Sequence, residues 1–334
     1  MKSEDHLALV DLQEYVAEVL GSEYIVAEVT RLHGGAQKVV YKIECKNGFS
    51  CVLYVWDLSH NYFQEEILNG SAFQRSYGGS LFALNNHYFK KQGIRTPALY
   101  DLNKDRDRYP FEYALVEYVH GKKVEAYFQH DDPRIRHELF QQVGQLLSGM
   151  HVIKRDVYGK ADYDGSNDRP CHELQREHAE EALSYASEHL VNVRDHHDSL
   201  LDKLYELETN IHSRSRYCFI HGELGPDHIL VSDDLQPYFI DIEGAGFFDI
   251  EHEHSFLEFR FGEYYRYLRN DNLDRNRMMF YRFCHHLSLI SGGLKLLHRQ
   301  FPDQRFAKDL AEYHSRCAIQ ITSSGIGNGI IRGN

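Results

Sequence analysis

The sequence predicts an α+β protein, with a small antiparallel sheet near its start and a larger, mainly helical section after it. Three observations carry this. Residues 24–32, 38–45 and 49–56 are β-type runs, separated by His33-Gly34-Gly35 and by Asn47-Gly48, a strong hairpin signal. Residues 133–151, 172–211, 274–297 and 304–321 read as helices. Residues 217–249 alternate short apolar runs with loops rich in Gly, Asp and Glu.

A chain of 334 residues is long enough for two packed lobes. The expected division is a lobe over residues 1–118 and a helical lobe over residues 119–334, with the boundary near Glu117–Gly121. A hydrophobic fraction of 42% is that of a folded chain. No run of eighteen or more apolar residues exists, so no membrane span is predicted. The first residues carry acids early and lack a continuous apolar core, which argues against a secretory signal. Thirty-seven basic and fifty acidic residues give 37 − 50 = −13. That charge disfavours a nucleic-acid partner and weakly favours a cationic ligand by steering; it also keeps a protein soluble. The six cysteines form no CxxC pair and several sit in apolar runs, as buried thiols of a cytoplasmic protein do.

Residues 7–20 place apolar side chains at helical spacing and stop at Gly21. The three β runs then make a meander. Its Gly34-Gly35 pair is either a plain tight turn or a backbone that approaches phosphates closely. Residues 60–92 read as mostly helical, broken at Tyr77-Gly78-Gly79-Ser80. A strand is expected over Ala98–Leu102 and another over Phe111–Val119, ended by His120-Gly121. The 133–151 helix sets Leu139, Val143, Leu146, Leu147 and Met150 on one side, and residues 152–171 read as loop. His178, His189, His196 and His197 lie among Glu, Asp and Arg, the pattern of a solvated helix face.

In the 217–249 stretch, strands at Tyr217–Ile220, Ile229–Val231 and Tyr238–Ile240 deliver Glu223, His228 and Asp241 to strand ends. Either this is an acidic surface hairpin, or it is a phosphate and metal site. Asp241 directly follows a strand and stands near Glu243, so either acid can serve a metal. The following Glu251-His252-Glu253-His254 run reads as a solvated acidic face, since His252 and His254 would point apart on a helix. With Glu258 and Glu263, the same acids would line a site for a cationic acceptor.

These parts occur in an order that resembles the aminoglycoside phosphotransferase group of kinase-like small-molecule phosphotransferases. The segments that carry it are Gly34-Gly35 with Val40-Tyr41-Lys42, then residues 93–97, then Val116–Gly121, then Gly144–His151, then His221-Gly222-Glu223 and Ile240-Asp241. The resemblance spans about residues 24–262 and implies a protein-kinase-like, two-lobed fold. It implies ATP or GTP and Mg2+ as cofactors and a small hydroxylated molecule as acceptor. Gly34 and Gly35 would cover the phosphates, Lys42 or Lys38 would pair with them, and the backbone at Glu117 and Val119 would face the base. His221 would hold the catalytic loop and Glu223 would accept the hydroxyl proton. Asp241, His228 and Glu243 would serve the metal, with Asp227 as a substitute. Three positions depart from the family's pattern: Glu223 replaces an Asp, His228 an Asn, and Tyr54 the phosphate-pairing Lys of the third strand, whose helix-borne partner would be Glu65 or Glu66.

The leading functional reading is therefore a small-molecule kinase. A kinase-shaped nucleotide- or ligand-binding protein with weak catalysis is the alternative that the three departures favour. An unrelated metal-dependent hydrolase using the histidine-rich stretches is a third, against which their dispersed spacing argues.

Overall fold

The computed structural model describes residues 6–32, 35–69 and 77–323. Contacts divide the chain into two compact units, one of Met1–Leu139 with Asp227–Ala245, the other of Phe140–Pro226 with Gly246–Asn334. In chain order come helix α1 (Leu9–Leu20), strands β1 (Val26–Leu32), β2 (Val39–Cys45) and β3 (Ser50–Trp56), and helices α2 (Gln64–Asn69) and α3 (Gly79–Lys91). Strands β4 (Leu99–Asn103), β5 (Glu112–Glu117) and β6 (Gly121–Lys123) precede helix α4 (Pro133–His151) and strand β7 (Lys154–Arg155). Helices α5 (Cys171–His189), α6 (Val191–Asp195) and α7 (His197–Glu208) lead to strands β8 (Tyr217–Ile220), β9 (Ile229–Ser232), β10 (Pro237–Phe239) and β11 (Gly246–Phe248). Helices α8 (Ile250–Phe261), α9 (Arg275–His298) and α10 (Gln304–Ser323) complete the described chain.

The first unit is built on a five-stranded antiparallel sheet in the order β1-β2-β3-β5-β4. The expected meander is its first three strands. Its hairpin turns at Asn47-Gly48, where Gly48 takes a left-handed φ of 83°. Side chains alternate across a strand, and β3 uses both faces, being buried at every position. Cys51, Leu53 and Val55 pack with Ile43, Leu115 and the Leu12, Tyr15 and Val16 side of α1. Tyr54 and Trp56 point the other way and meet Phe82 of α3 at ring separations of 5.3 and 5.6 Å. The sheet therefore has an apolar face under α1 and a second face that carries polar groups.

A three-stranded sheet, β10-β9-β6, belongs to the same unit. The expected strand ends at Glu117, before His120-Gly121, and Gly121 then starts β6, where it pairs with Ser232. A Cβ at Gly121 would lie 1.8 Å from the Val231 carbonyl oxygen. Only glycine lets the strands close, and the same residue that reads as a breaker begins a short strand.

The second unit holds the sheet β11-β8-β7 and a helical core. β7 falls within the stretch expected to be loop. Leu183 of α5, Leu200 and Leu204 of α7, Phe280, Phe283 and Leu287 of α9 and Ala311 of α10 meet in one apolar cluster. The α8 run corrects the reading of a solvated face: Glu251, Glu253 and His254 are buried. Buried residues occur on nearly every side of α8, so its acids go inside and are paired. Arg214 makes two bonds to Glu251, of 2.8 and 3.0 Å, and Asp249 is held by Arg277 and by the Tyr281 hydroxyl at 2.6 Å. His178 is also half-buried rather than solvated, while His189 and His196 are exposed.

The interior of this unit contains neutral histidines. His286 and His314 face each other Nδ1 to Nδ1 at 2.7 Å, a bond that one proton serves and two would break. His285 bonds the His252 carbonyl at 2.8 Å. Burial pushes His286 down to about 3, with His314 adding to the effect, and His285 and His314 down to about 4. The unfolded chain takes up protons near pH 6.5 and these folded histidines do not, so stability is full above that pH and is lost as pH falls toward 4. Each such histidine contributes a loss of about 2 kcal/mol between pH 7 and pH 5. Thermal midpoints should fall steeply across that range, and His314→Leu should flatten the slope; an unchanged slope would refute the assignment.

Candidate active site

The polar face of the five-stranded sheet ends in a charge cluster. Lys38, just before β2, sends its ammonium to Asp241 and, at 2.8 Å, to Glu243. Tyr54 lies beneath it, ring centroid 5.0 Å from Nζ. The Lys38 side chain is 9% exposed, so the ammonium has little water. Burial disfavours its charge, and the Asp241 and Glu243 carboxylates outweigh that cost, holding the ammonium above its ordinary pKa. Glu243 Oε1 also accepts the Trp56 indole N–H at 3.2 Å.

The backbone that presents these acids is itself held. Asp241 has a φ of 58°, in the left-handed region that Asp tolerates at a cost of roughly 1 kcal/mol or more. Asn85 of α3, fully buried, donates through Nδ2 to the carbonyls of Ile242, Glu243 and Ala245, at 2.7, 3.2 and 3.2 Å. The Ile240 N–H donates to the His228 carbonyl. His228 Nε2 then lies 3.4 Å from Asp241 Oδ2 and 3.7 Å from Asp227 Oδ2. The structure thus gathers Asp227, His228, Asp241 and Glu243. Asp241 and Glu243 share the Lys38 ammonium, and Asp227 and Asp241 both face His228.

Of the two lysines considered for the phosphates, Lys38 joins this cluster and Lys42 does not. Lys42 pairs with Glu44 at 2.9 Å and lies over the Tyr118 ring. Two residues of strand separate successive side chains on one face, which puts Lys42 about 13 Å along β2 from Lys38. Glu117 Oε2 accepts the Ala98 N–H at 2.8 Å, which fixes the end of β5, and Val119 is buried. Gly35 approaches the Lys38 carbonyl so closely that a Cβ would lie 3.0 Å from it; Gly34 lies outside the described residues.

In the second unit, β8 runs into His221, Gly222 and Glu223. Both oxygens of Glu253 are used here. Oε1 accepts the N–H groups of His221 and Gly222, at 2.8 and 3.0 Å, and Oε2 meets His151 Nε2. Gly222 takes a φ of 92°, a value that glycine supplies freely. Burial raises the Glu253 pKa, but the hydrogen bond and charge of His151 outweigh it and the carboxyl stays below its ordinary range. Glu223 follows as an exposed carboxylate on a loop whose backbone is pinned. Sequence reasoning missed Glu253. The sequence carries no signal for it, because burial of the polar residues of α8 is set by its neighbours.

Residues 85–257, more than half of the chain, match the phosphotransferase enzyme family. The chain belongs to that family. This phosphotransferase-family chain also has similar solved structures. One is a thermostable mutant of aminoglycoside phosphotransferase APH(4)-Ia in ternary complex with ADP and hygromycin B, at TM-score 0.65 and 14% identity, covering 95% of this chain and 100% of that one. Another is choline kinase LicA from Streptococcus pneumoniae, at TM-score 0.63 and 13% identity, covering 95% and 99%. A third is spectinomycin phosphotransferase APH(9)-Ia with ADP and spectinomycin, at TM-score 0.60 and 15% identity, covering 94% and 98%. At such identities the likeness establishes the kinase-like fold expected from the sequence. The sequence has no match among curated proteins.

Two substitutions test the geometry. Lys38→Met should cost on the order of 3 kcal/mol in urea unfolding, because it leaves Glu243 buried without its cation. Lys38→Met combined with Glu243→Gln should recover part of that loss, and no recovery would mean that Glu243 is not the partner that matters. Glu253→Ala should cost about 3 kcal/mol or more, because two N–H groups lose their acceptor and His151 its partner. Glu253→Gln, which keeps an acceptor, should cost less.

Proposed function

We propose that this chain transfers the terminal phosphate of ATP or GTP to a hydroxyl of a small molecule. The observation that carries the reading is the Lys38–Asp241–Glu243 cluster in a chain of the phosphotransferase family. Phosphoryl transfer asks little covalent chemistry of a protein. It asks for positioned phosphates, offset charge and a base at the acceptor oxygen. In this reading Lys38 supplies the cation that Tyr54 cannot, at the polar face of the same sheet. The backbone at Glu117 and Val119 binds the base, and Gly34 and Gly35 cover the phosphates. Asp241 and Asp227 are the donors for Mg2+, which takes carboxylate oxygens; His228 offers a nitrogen, which suits that ion less. Bound there, the metal would offset phosphate charge. Glu223, exposed on its pinned loop, takes the proton from the acceptor hydroxyl, and His221 holds that loop.

The acceptor class follows less directly. Similar proteins are a choline kinase and phosphotransferases crystallised with hygromycin B or spectinomycin. A net charge of −13 favours a cationic alcohol by steering. Of the acids expected to line its site, Glu251 and Glu253 are buried on Arg214 and His151, Glu258 pairs with Arg282 at 3.2 Å, and Glu263 is exposed. A cytoplasmic location accords with six cysteines that all remain thiols. Among the described residues no helix is long and apolar enough to cross a membrane.

One observation favours a second reading, a nucleotide-binding protein with weak catalysis. Lys38 engages both Asp241 and Glu243, so a metal must share or displace that cation. Thermal shifts with ATP and with GTP, with and without Mg2+, separate the two. The transferase reading expects a magnesium-dependent shift that Asp241→Ala abolishes. It also expects Glu223→Gln to keep the shift and to slow acceptor-dependent ADP release about 100-fold or more. A magnesium-independent shift that survives Asp241→Ala would select the second reading instead.

A further inference from the structure

We propose that His6, Asp57 and His60 form a binding site for a divalent first-row metal ion, zinc foremost, that ties the start of the described chain to the end of β3. These residues take no part in the phosphotransfer roles assigned above, and all three belong to the first unit. Their ligand atoms form a small triangle. His6 Nε2 lies 3.3 Å from His60 Nδ1 and 3.5 Å from Asp57 Oδ2, and His60 Nδ1 lies 3.0 Å from Asp57 Oδ2. A zinc ion about 2.0–2.1 Å from each donor of a tetrahedral set holds those donors about 3.3–3.4 Å apart. The triangle therefore has the dimensions of one face of such a tetrahedron.

The groups behind the ligands point them the same way. His6 Nδ1 is 2.6 Å from the Tyr41 hydroxyl. With Nδ1 carrying the proton and donating to Tyr41, the lone pair is on Nε2, which is the tautomer that binds a metal. Asp57 Oδ1 accepts both the backbone N–H and the hydroxyl of Ser59, at 2.9 and 2.8 Å, which leaves Oδ2 aimed at the two imidazoles. Ser59 Oγ also lies 3.2 Å from His60 Nδ1, and this contact would yield to the ion. The chemistry selects the ion: two imidazoles and one carboxylate suit zinc and its neighbours, whereas magnesium prefers an all-oxygen set. His6 is 5% exposed and His60 42%, so the site is walled on one side and open on the other, with its fourth position left to water.

The consequence is a clip. His6 and His60 are fifty-four residues apart in the chain, and Asp57 directly follows Trp56, whose indole bonds Glu243. Metal binding would hold the segment preceding α1 against the end of the central strand. The test uses the full chain, stripped with EDTA and titrated with Zn2+ by calorimetry. One tight equivalent is expected, with a rise in thermal midpoint. His60→Gln, a change at an exposed residue that should leave folding intact, is expected to weaken that equivalent at least tenfold and remove the rise. His189→Gln, an exposed histidine on α5, should change neither. Co2+ in place of zinc should give the d–d absorption of a tetrahedral site, lost in His60→Gln. Failure to bind a tight equivalent, or equal binding by His60→Gln and His6→Gln, would overturn the proposal.

Discussion

A buried ammonium needs counter-charge, and Lys38 finds it 203 residues further along the chain at Asp241. The Lys38 side chain is almost wholly buried, so its charge is sustained by Asp241 and Glu243. That requirement draws residues 227–245 into the first unit. Asn85 fastens the turn by three carbonyls, Trp56 donates to the same Glu243 oxygen that Lys38 meets, and β9 closes on β6 through Gly121. The αL backbone at Asp241 is tolerated because these contacts surround it. Tyr54 completes the arrangement. Its ring underlies the Lys38 ammonium that arrives from the start of the neighbouring strand.

The second unit solves a related problem with the opposite charge. Glu253 is a carboxylate without water, and it is satisfied by two backbone N–H groups and His151. Those N–H groups belong to the residues just before Glu223. A buried acid thus serves as a template for a loop, and the exposed acid on that loop gains a fixed backbone without being buried itself. Asp249 and Glu251 follow the same rule with Arg277, Arg214 and Tyr281. In a helix buried on as many sides as α8, each charge must carry its own partner inward, and the histidines packed nearby stay neutral for the same reason. Burial is the largest cause of their depression, with neighbouring cationic groups adding to it at His254, His286 and His314.

Much of the fold was legible from the sequence alone. Strand alternation, the Asn47-Gly48 turn and helical periodicity set the sheet's first strands and the long helices, because those signals are local and repeat every two or 3.6 residues. The order of short motifs from Gly35 to Asp241 was enough to indicate the family. What no local signal carried was pairing. Nothing in the sequence distinguishes Lys38 from Lys42 as the cation at Asp241, since both lie on one face of β2 and the choice turns on where residue 241 comes to rest. Nothing marks Glu253 as the loop's acceptor, because an E-H-E-H run looks the same whether solvated or buried. His6, Asp57 and His60 are similarly ordinary until the sheet sets them within 3.5 Å of one another. Periodicity is a property of neighbouring residues, and the sequence determines it; the partner of a buried charge is a property of desolvation at one place in space, and only the tertiary structure decides it.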